Sequence, residues 1–395
     1  MFDTIFIGTS GLLNHAKGLR VVGNNLANVN TPGFKSSHLQ FANVFDQNAG
    51  ASHQFDRSGN LALTGSGLAS LGSQLNFRAG LEQGTGNPLD MAISGNGFFA
   101  VKRGDALLYT RSGDFGFNDT GVLVNSAGDR VQGLDARGQL ADITLVDLGR
   151  SAARATGTVR LSGELASTIA TPPLDASVSG VTVLDANGVN QPLTLSFHNN
   201  GGGAYTVTVK DAANATVASG DIQFSGGVAV AGKAALTFSY APAGMAAFDV
   251  TLDFSALVNL PSSAVPIRVQ SHDGYASGVK TDQSIGSDGL LAVQYSNGQT
   301  ATGARLALAD FVTEASLEEA GGSSFLMRDG ASVHYGYAGT DSFGKLAAGR
   351  REGSNVDLAE EFGNLILMQR GYQASSHVIS TANDMIQQLF DMKGR

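Results

Sequence analysis

Apolar residues recur every seven positions at both ends of this chain, and this repeat constrains its fold more than any other feature. Two helices are predicted, because such a repeat places one apolar stripe along one side of an α-helix. The first helix should end near Asn30, since Thr31-Pro32-Gly33 cannot continue it. The second should begin after Ser354-Asn355-Val356-Asp357, whose polar side chains suit a helix N-terminus. The repeating residues are Ile5, Leu12, Leu19 and Leu26, and then Leu358, Leu365, Tyr372, Ile379 and Ile386.

These nine repeating residues, called the seam, admit two interpretations. Each helix can pack its stripe on the core of its own domain, or the two helices can pair with each other and with further copies of the chain. Stripes at both ends of one chain favour the second interpretation. Because burial of the seam alone does not offset the entropy lost in ordering two long helices, the helices need further surface, which neighbouring copies can supply. We therefore predict termini that are disordered and protease-sensitive in the free chain and ordered in a polymer.

The middle of the chain alternates apolar and polar residues with the period of β-strands. Runs such as 193–197 and 205–209 alternate strictly, and turn signals such as Asn187-Gly188 separate the runs. Short strands at this spacing predict β-sandwich or barrel-like domains. The predicted fold class is mostly β with α-helical termini, in a discontinuous multi-domain arrangement.

Shifts of composition near residues 150 and 270 set the predicted domain boundaries, with an outer β domain inserted into an inner one. The predicted parts are a terminal helical coiled-coil domain (1–30 and 356–395), an extended connector (31–84 and 336–355), an inner β domain (85–150 and 270–335) and an inserted outer β domain (151–269).

Charge and composition exclude several classes of function. A net charge of −9 without clustered basic residues lacks the electrostatic footprint of nucleic-acid binding. The chain has no Cys, so neither a disulfide nor a Cys-ligated metal site can form. No stretch approaches 18 apolar residues, so no membrane insertion is expected. The first residues carry neither a basic leader nor a long apolar run, and we expect no cleaved signal peptide.

No motif in the sequence predicts chemistry. The string Gly95-Asn96-Gly97-Phe98-Phe99-Ala100 matches GxGxxA, but a dinucleotide site needs a helix after the turn, and the following residues alternate as a strand. The seven His residues are scattered without metal-ligand spacing. Glu318-Glu319 and Glu360-Glu361 are adjacent carboxylates, which point apart on a helix. We expect no catalytic, cofactor-binding or metal site, and no enzymatic activity.

Several strings resemble the signatures of the flagellar rod and hook protein family. The first is Asn24-Asn25-Leu26-Ala27-Asn28-Val29-Asn30-Thr31-Pro32-Gly33-Phe34-Lys35. Asp90 to Phe99 and Tyr109 to Phe115 are similar to two inner strings of the family, and Ser354-Asn355-Val356-Asp357-Leu358 to its C-terminal one. The chain departs from the family pattern at Arg350-Arg351-Glu352-Gly353, where a hydrophobic and an acidic residue usually stand. The signature residues are Asn24, Asn25, Asn28, Asn30, Thr31, Gly33, Phe34, Ser354, Asn355, Val356, Asp357 and Leu358.

Within that family, the long middle of the chain resembles hook proteins more than the generally shorter rod proteins. The resemblance implies a structural subunit of the flagellar hook, a curved hollow tube that joins rod to filament as a universal joint. The implied partners are copies of itself, the hook cap protein, the distal rod, the hook–filament junction proteins and the flagellar type III export apparatus. The implied location is the flagellum, outside the cell after export.

Two alternative functions remain open from the sequence. One is a distal rod protein of the same family. The other, from a different class, is a secreted glycan-binding or glycan-cleaving β protein, which would need paired carboxylates about 5–10 Å apart.

Overall fold

A computed structural model describes residues 2–45, 65–135, 137–168, 175–242, 244–261 and 265–393. Two long helices, α1 (Phe2–Ala27) and α2 (Leu358–Lys393), stand at the two ends of a chain otherwise built of strands. The predicted class, mostly β with α-helical termini, is therefore confirmed. The strands are β1 (Ser37–Phe45), β2 (Gly65–Leu75), β3 (Glu82–Gly84), β4 (Met91–Ser94), β5 (Phe98–Arg103), β6 (Ala106–Thr110), β7 (Phe115–Phe117), β8 (Leu123–Asn125), β9 (Arg130–Leu134), β10 (Leu140–Asp142), β11 (Arg150–Ser151), β12 (Thr158–Ala166), β13 (Ala176–Leu184), β14 (Asn190–Gly201), β15 (Ala204–Lys210), β16 (Thr216–Ser225), β17 (Val228–Ala229), β18 (Ala235–Tyr240), β19 (Phe248–Leu260), β20 (Arg268–His272), β21 (Gly278–Ile285), β22 (Leu290–Tyr295), β23 (Thr300–Leu306), β24 (Leu308–Phe311), β25 (Leu317–Glu319), β26 (Ser324–Met327), β27 (Val333–Gly336), β28 (Lys345–Ala348) and β29 (Arg350–Glu352).

The two helices begin and end close to the positions predicted from the sequence. α1 ends at Ala27, and a turn over 28–30 follows it. α2 begins where the Asp357 carboxylate accepts hydrogen bonds from the backbone N–H groups of Ala359 at 2.8 Å and Glu360 at 3.3 Å. This side chain satisfies donors that the first turn of a helix otherwise leaves unpaired.

The chain divides into two compact units. The first comprises Met1–Val146, Gln283–Ala292 and Thr302–Arg395, and the second comprises Asp147–Asp282 and Val293–Ala301. The middle of the chain thus forms a unit of its own, while the exact division predicted from the sequence stays a prediction.

The β part of the first unit is organised around β5. This strand pairs antiparallel with β6 along one edge, and with β24 and then β9 along the other. β6 continues through β26 to β25. The core on this sheet is aromatic, with ring centroids 5.1 to 6.1 Å apart in edge-to-face pairs. Its members include Phe77, Phe98, Phe311 and Phe325.

The second unit is an antiparallel meander of β13, β14, β15 and β16, joined through β17 to a parallel pair of β19 and β12. Its core is made of the inward residues of these alternating strands, among them Phe197 and Phe254 with ring centroids 5.7 Å apart. The predicted turn at Asn187-Gly188 joins β13 to β14. Gly188 has φ +78° there, and a Cβ on it would lie 2.9 Å from Ala276 Cα, so the turn requires glycine.

The stretch predicted as an extended connector contains regular structure. β1 and β2 pair antiparallel from Ser37 opposite Leu75 to Phe45 opposite Gly65, and they form a hairpin on α1. Near the second helix, β28 pairs with β4 and β29 pairs with β3. The sequence did not predict the hairpin, because its apolar residues alternate weakly and its packing partner, α1, is distant from much of it in sequence.

Candidate functional site: the helix pair and its junction

The two terminal helices pack against each other in antiparallel orientation, through small residues of α1. A Cβ placed on Gly18 would lie 2.6 Å from Met368 Sδ, and one on Gly8 would lie 2.7 Å from Ile379 Cγ1. Residue numbers rise in α1 as they fall in α2, which fixes the antiparallel sense. The glycine contacts are Gly8 with Ile379, Gly11 with Ser375 and Gly18 with Met368.

In one further contact between the helices, the glycine belongs to α2 instead of α1. The imidazole of His15 lies against Gly371, where a Cβ would come within 2.4 Å of His15 Cε1. The ring also stands 6.0 Å from the Phe41 ring of β1, and its Nδ1 is buried without a hydrogen-bond partner. His15 is thus a rigid, flat group held in a notch between two elements.

The structure places the seam beside this contact line. Ile379 lies between the helices, whereas Leu12 and Leu19 follow directly after Gly11 and Gly18 and are only half-buried. Among the other seam residues, Leu358 and Tyr372 are exposed, and the rest are half-buried. Sequence reasoning missed the contact line, although glycine at 8, 11 and 18 keeps the three- and seven-residue spacing of a helix interface.

The hairpin of β1 and β2 covers another side of α1. Asn14 Nδ2 donates hydrogen bonds to Leu68 O at 2.5 Å and to Ser10 O at 2.9 Å, and Ser10 Oγ accepts from Leu68 N at 3.2 Å. Lys17 Nζ lies 3.2 Å from Ser70 Oγ. Polar side chains of α1 thus pair with the edge of β2, so the helix has a strand partner as well as a helix partner.

Signature residue Asn25 joins α1, α2 and β1. Its Nδ2 donates to Ser37 O at 2.9 Å and to Glu361 Oε1 at 2.8 Å, while its Oδ1 accepts from Ser37 N at 3.0 Å. All the polar atoms of the Asn25 amide are used at the point where α1 leaves the pair. The other Glu361 oxygen, Oε2, is buried with no partner. Burial raises the pKa of Glu361 above its ordinary value, and the Asn25 hydrogen bond opposes this only in part.

Replacing Glu361 by Gln is expected to stabilise the helix pair by about 1 kcal/mol at neutral pH, because it removes a buried charge that lacks a full set of partners. The sign follows from the raised pKa: the cost of the carboxylate grows as pH rises from the pKa of the unfolded chain, about 4.3, to the higher pKa of the folded chain. The difference between variant and parent should therefore vanish below about pH 4, where the carboxyl is protonated in both folded and unfolded chains. Thermal unfolding of α2 across this pH range measures it.

The matched control is Glu360→Gln, the exposed neighbour on the same helical turn. It should bring no such gain. An equal effect of both substitutions would contradict a role for burial.

A buried cluster of charges joins the two connector segments, 31–84 and 336–355, to the β part of the first unit. Lys35 Nζ lies 2.5 Å from Glu352 Oε1, and Arg111 Nη1 lies 3.5 Å from Glu352 Oε2. Lys35 also donates to Arg78 O at 2.7 Å, and Gly80 N donates to Glu352 Oε1 at 2.9 Å. Burial lowers the pKa of Lys35 and that of Arg111, and Glu352 opposes both shifts. One carboxylate thus holds two buried cations.

The signature residue Asn355 closes the same junction. Its Oδ1 accepts from Ser36 N at 2.7 Å, and its Nδ2 donates to Asn76 O at 2.7 Å and Arg78 O at 3.0 Å. Three segments of the chain meet at this amide: the segment after α1, the segment after β2 and the segment before α2. The junction therefore fixes where both helices leave the β part of the first unit.

The remaining signature residues shape the turn after α1 and the start of α2. Asn28 donates to Asn24 O at 2.9 Å and accepts from Thr31 Oγ1 at 3.1 Å. Gly33 has φ +65°, and a Cβ on it would lie 2.4 Å from Ser112 N, so no larger residue fits. Phe34 is buried, and Asn30 is exposed. Ser354 Oγ accepts from Val356 N at 3.3 Å, and Asp357 caps the helix that Leu358 begins.

A set of large apolar side chains on α2 is exposed. Leu367 is 66% exposed and Met392 is 81% exposed. A soluble helix that leaves such residues uncovered along its length has surface for further helices. Besides the seam residues Leu358 and Tyr372, the members are Phe362, Ile366, Leu367, Val378, Met385, Leu389, Phe390 and Met392.

The site offers packing surface and a rigid attachment. Within the described ranges, no group of three or more His, Asp or Glu side chains is close enough to hold a metal ion. Neither helix in the described part of the chain is long and apolar enough to cross a membrane.

Comparison with known families agrees with this geometry along the chain. Residues 5–35 match the model described as flagella basal body rod protein. Residues 92–166 match the flagellar hook protein FlgE/F/G D1 domain, and residues 347–392 match the flagellar basal body rod FlgEFG protein C-terminal model. The terminal matches include both helices' junction segments.

Curated relatives match over all or nearly all of their length. The flagellar hook protein FlgE of Salmonella typhimurium is 31% identical, over 97% of this chain and 98% of the relative. That of Borreliella burgdorferi is 30% identical, and that of Treponema pallidum 28%, each over 100% of both chains.

Proposed function

The chain belongs to the flagellar hook protein family, and from this premise we propose how it acts as a structural subunit of the bacterial flagellar hook. Copies of the chain associate through their terminal helices into a tube. The β part of the first unit and the second unit form its outer layers. The tube bends as it turns and transmits torque from rod to filament. This role requires no catalytic residue.

The exposed apolar side of α2 carries the proposal. In a single chain, α1 and the hairpin cover only part of the helical surface, and side chains such as Leu367 and Phe362 stay in water. Covering each large side chain by a neighbouring helix is worth about 1.5–3 kcal/mol. Since the same surface recurs on every copy, association supplies the missing cover for all of them.

The seam belongs to this proposal as the surface between copies. Leu12, Leu19 and Leu365 are half-buried beside the helix pair, and Leu358 and Tyr372 are exposed, so they are accessible to a neighbour's helices. Ile379 acts differently, because it packs on Gly8 of its own chain.

Further partners follow from the same role. A hook subunit must meet the distal rod at one end of the tube and the hook–filament junction proteins at the other. A hook cap protein would hold the growing end. The subunit reaches that end, outside the cell, through the flagellar type III export apparatus. Co-purification of each partner with the full chain tests these steps one at a time.

Salt-induced polymerisation followed by electron microscopy tests the proposal. The purified full chain should form hollow tubes of uniform diameter. Amorphous aggregate, or a chain that stays monomeric at every salt concentration, would count against it. The distal-rod alternative is not favoured, because the curated relatives that match the whole chain are hook proteins.

Replacing Leu19 by Asp is expected to abolish tube formation. The unfolding temperature of the β part of the first unit and of the second unit should stay unchanged. A carboxylate in a helix-to-helix contact is buried without a partner, which costs more than one such contact contributes. Sedimentation and circular dichroism measure the two effects. Leu19→Met conserves volume and should still form tubes; tubes from Leu19→Asp would remove the seam from the contacts between copies.

A further inference from the structure

A groove of about 590 Å³ in the first unit lies between β2 and the segment that leads into β25. Both strands are sheet edges within the described residues, since β2 pairs there with β1 alone and β25 with β26 alone. An edge strand leaves a row of backbone donors and acceptors without partners. The groove is therefore bounded by two strand edges, and the side chains of α1 bind the edge of β2 at Leu68, outside the stretch 71–75 that lines the groove.

The ladder of β25 shows which backbone groups are free. Arg328 N donates to Ser316 O at 2.8 Å, and Ala320 N donates to Ser324 O at 2.8 Å. Because alternate residues of a strand face opposite neighbours, Glu319 directs its backbone C=O away from β26.

The opposite wall follows the same rule. Asn76 N donates to Ser36 O at 2.8 Å, so Ser73 and Leu75, an odd number of residues away, direct their backbone groups away from β1. The groove thus offers carbonyl acceptors from two strands.

The groove also carries negative charge. Glu314, Glu318 and Glu319 line it and are exposed, and Arg328 is the one cation among its lining residues, paired with Glu318 at 2.6 Å. Three carboxylates against one guanidinium leave a charge of −2 (−3 + 1). Carboxylate and carbonyl oxygens accept hydrogen bonds only, so a donor-rich cation suits this groove.

β29 presents such a cation elsewhere on the first unit. Arg350 is 56% exposed at its side chain, and its Nη1 stands 3.6 Å from Glu82 Oε2, beyond hydrogen-bond distance. Arg351, the next residue of the strand, faces the opposite side and is half-buried, so Arg350 is the cation that this surface presents. A guanidinium presents five N–H donors in a planar fork and accepts none, which complements carboxylates beside free carbonyls.

We propose that the groove of one copy binds Arg350 of a second copy. The inference rests on the proposed function, because it needs a polymer. The groove and Arg350 are different patches, so each copy binds one neighbour and is bound by another. Such a head-to-tail contact produces an open helical array when its rotation does not close into a ring, as a tube requires.

Two charge reversals test this contact in the full chain. Glu319→Arg and Arg350→Glu should each raise the protein concentration needed for tube formation about tenfold, since like charges then face each other. An equimolar mixture of the two variants should recover the parent value within about twofold. In the mixture, each reversed groove meets a reversed arginine, and each native groove a native one. Misfolding of either variant cannot produce that recovery.

The control is Asp119→Arg, an exposed acidic residue outside the groove that makes the same change of charge. It should polymerise like the parent. Parent-like polymerisation of both reversals, or a mixture no better than either alone, would overturn the contact between the groove and Arg350. Failure of the parent chain to form tubes in the same assay would instead count against the proposed function.

Discussion

Replacing Glu352 by Gln is expected to lower the free energy of unfolding of the junction by about 3–5 kcal/mol, the cost of leaving buried charge without its partner. Glu352 is the anion between Lys35 and Arg111, and all three side chains are almost completely buried. Without it, two cations face each other in a site closed to water. Hydrogen exchange of the Gly33 and Gly80 amides, which donate to Glu352, measures the loss locally.

The cluster also predicts an asymmetry between its members. Lys35→Met should cost less than Glu352→Gln, because Arg111 still faces the carboxylate at 3.5 Å. The double variant should recover part of the loss, since only Arg111 remains, and it keeps its hydrogen bonds to Ile93 O and Gly95 O.

The matched control is Glu318→Gln, which removes an exposed ion pair with Arg328 and should change stability by less than about 1 kcal/mol. A loss below 1 kcal/mol for Glu352→Gln as well would show that the junction does not depend on its charges.

The Glu352→Gln defect should also shrink in alkaline solution. Burial holds the pKa of Lys35 below its ordinary value, and removing the carboxylate removes the interaction that opposes this shift. The folded variant then prefers neutral Lys35, so its stability rises with pH until Lys35 is also neutral in the unfolded chain, near pH 10.4. Unfolding between pH 7 and pH 10 checks the sign.

Replacing Gly371 by Ala is expected to separate α1 from α2 and to abolish tube formation. The added Cβ would lie 2.4 to 2.7 Å from three atoms of the His15 ring, a rigid group that Phe41 backs from β1. Overpacking of this kind costs about 1–3 kcal/mol. Circular dichroism of the helices and electron microscopy give the two readouts.

The same substitution at Gly363 is the control, because nothing lies within 4 Å of a Cβ there and it stands on the same helix. Gly363→Ala should stabilise α2 by about 0.5–1 kcal/mol through helix propensity. If both variants behave alike, the notch at Gly371 does not determine helix pairing.

The sequence predicts those features whose signal is local and periodic. Seven-residue spacing locates both helices, Asp357 marks the start of α2, and Asn187-Gly188 marks a β-turn. Each is set by residues within a few positions, so a short window contains the whole cause.

Other features escaped prediction because their cause is spread along the chain. Lys35 and Glu352 are 317 positions apart, and neither has a local pattern that marks it for burial. Gly8, Gly11 and Gly18 allow α2 to approach closely because they have no side chain, and a search for apolar repeats does not detect them. In the hairpin, β1 and β2 alternate apolar and polar residues only weakly. Polar side chains of α1 bind part of the β2 edge, and the pattern of the strands alone does not show this.

The pairing of the first helix with the last has a consequence for the order in which the molecule takes shape. Asn25 and Glu361 are 336 positions apart, so the loop between them is nearly the whole chain. Bringing such distant ends together directly is entropically costly, whereas strands already assembled in between shorten the search. We therefore expect the helix pair to form last, so that the surface for further copies is complete only once the strands between the two helices have folded.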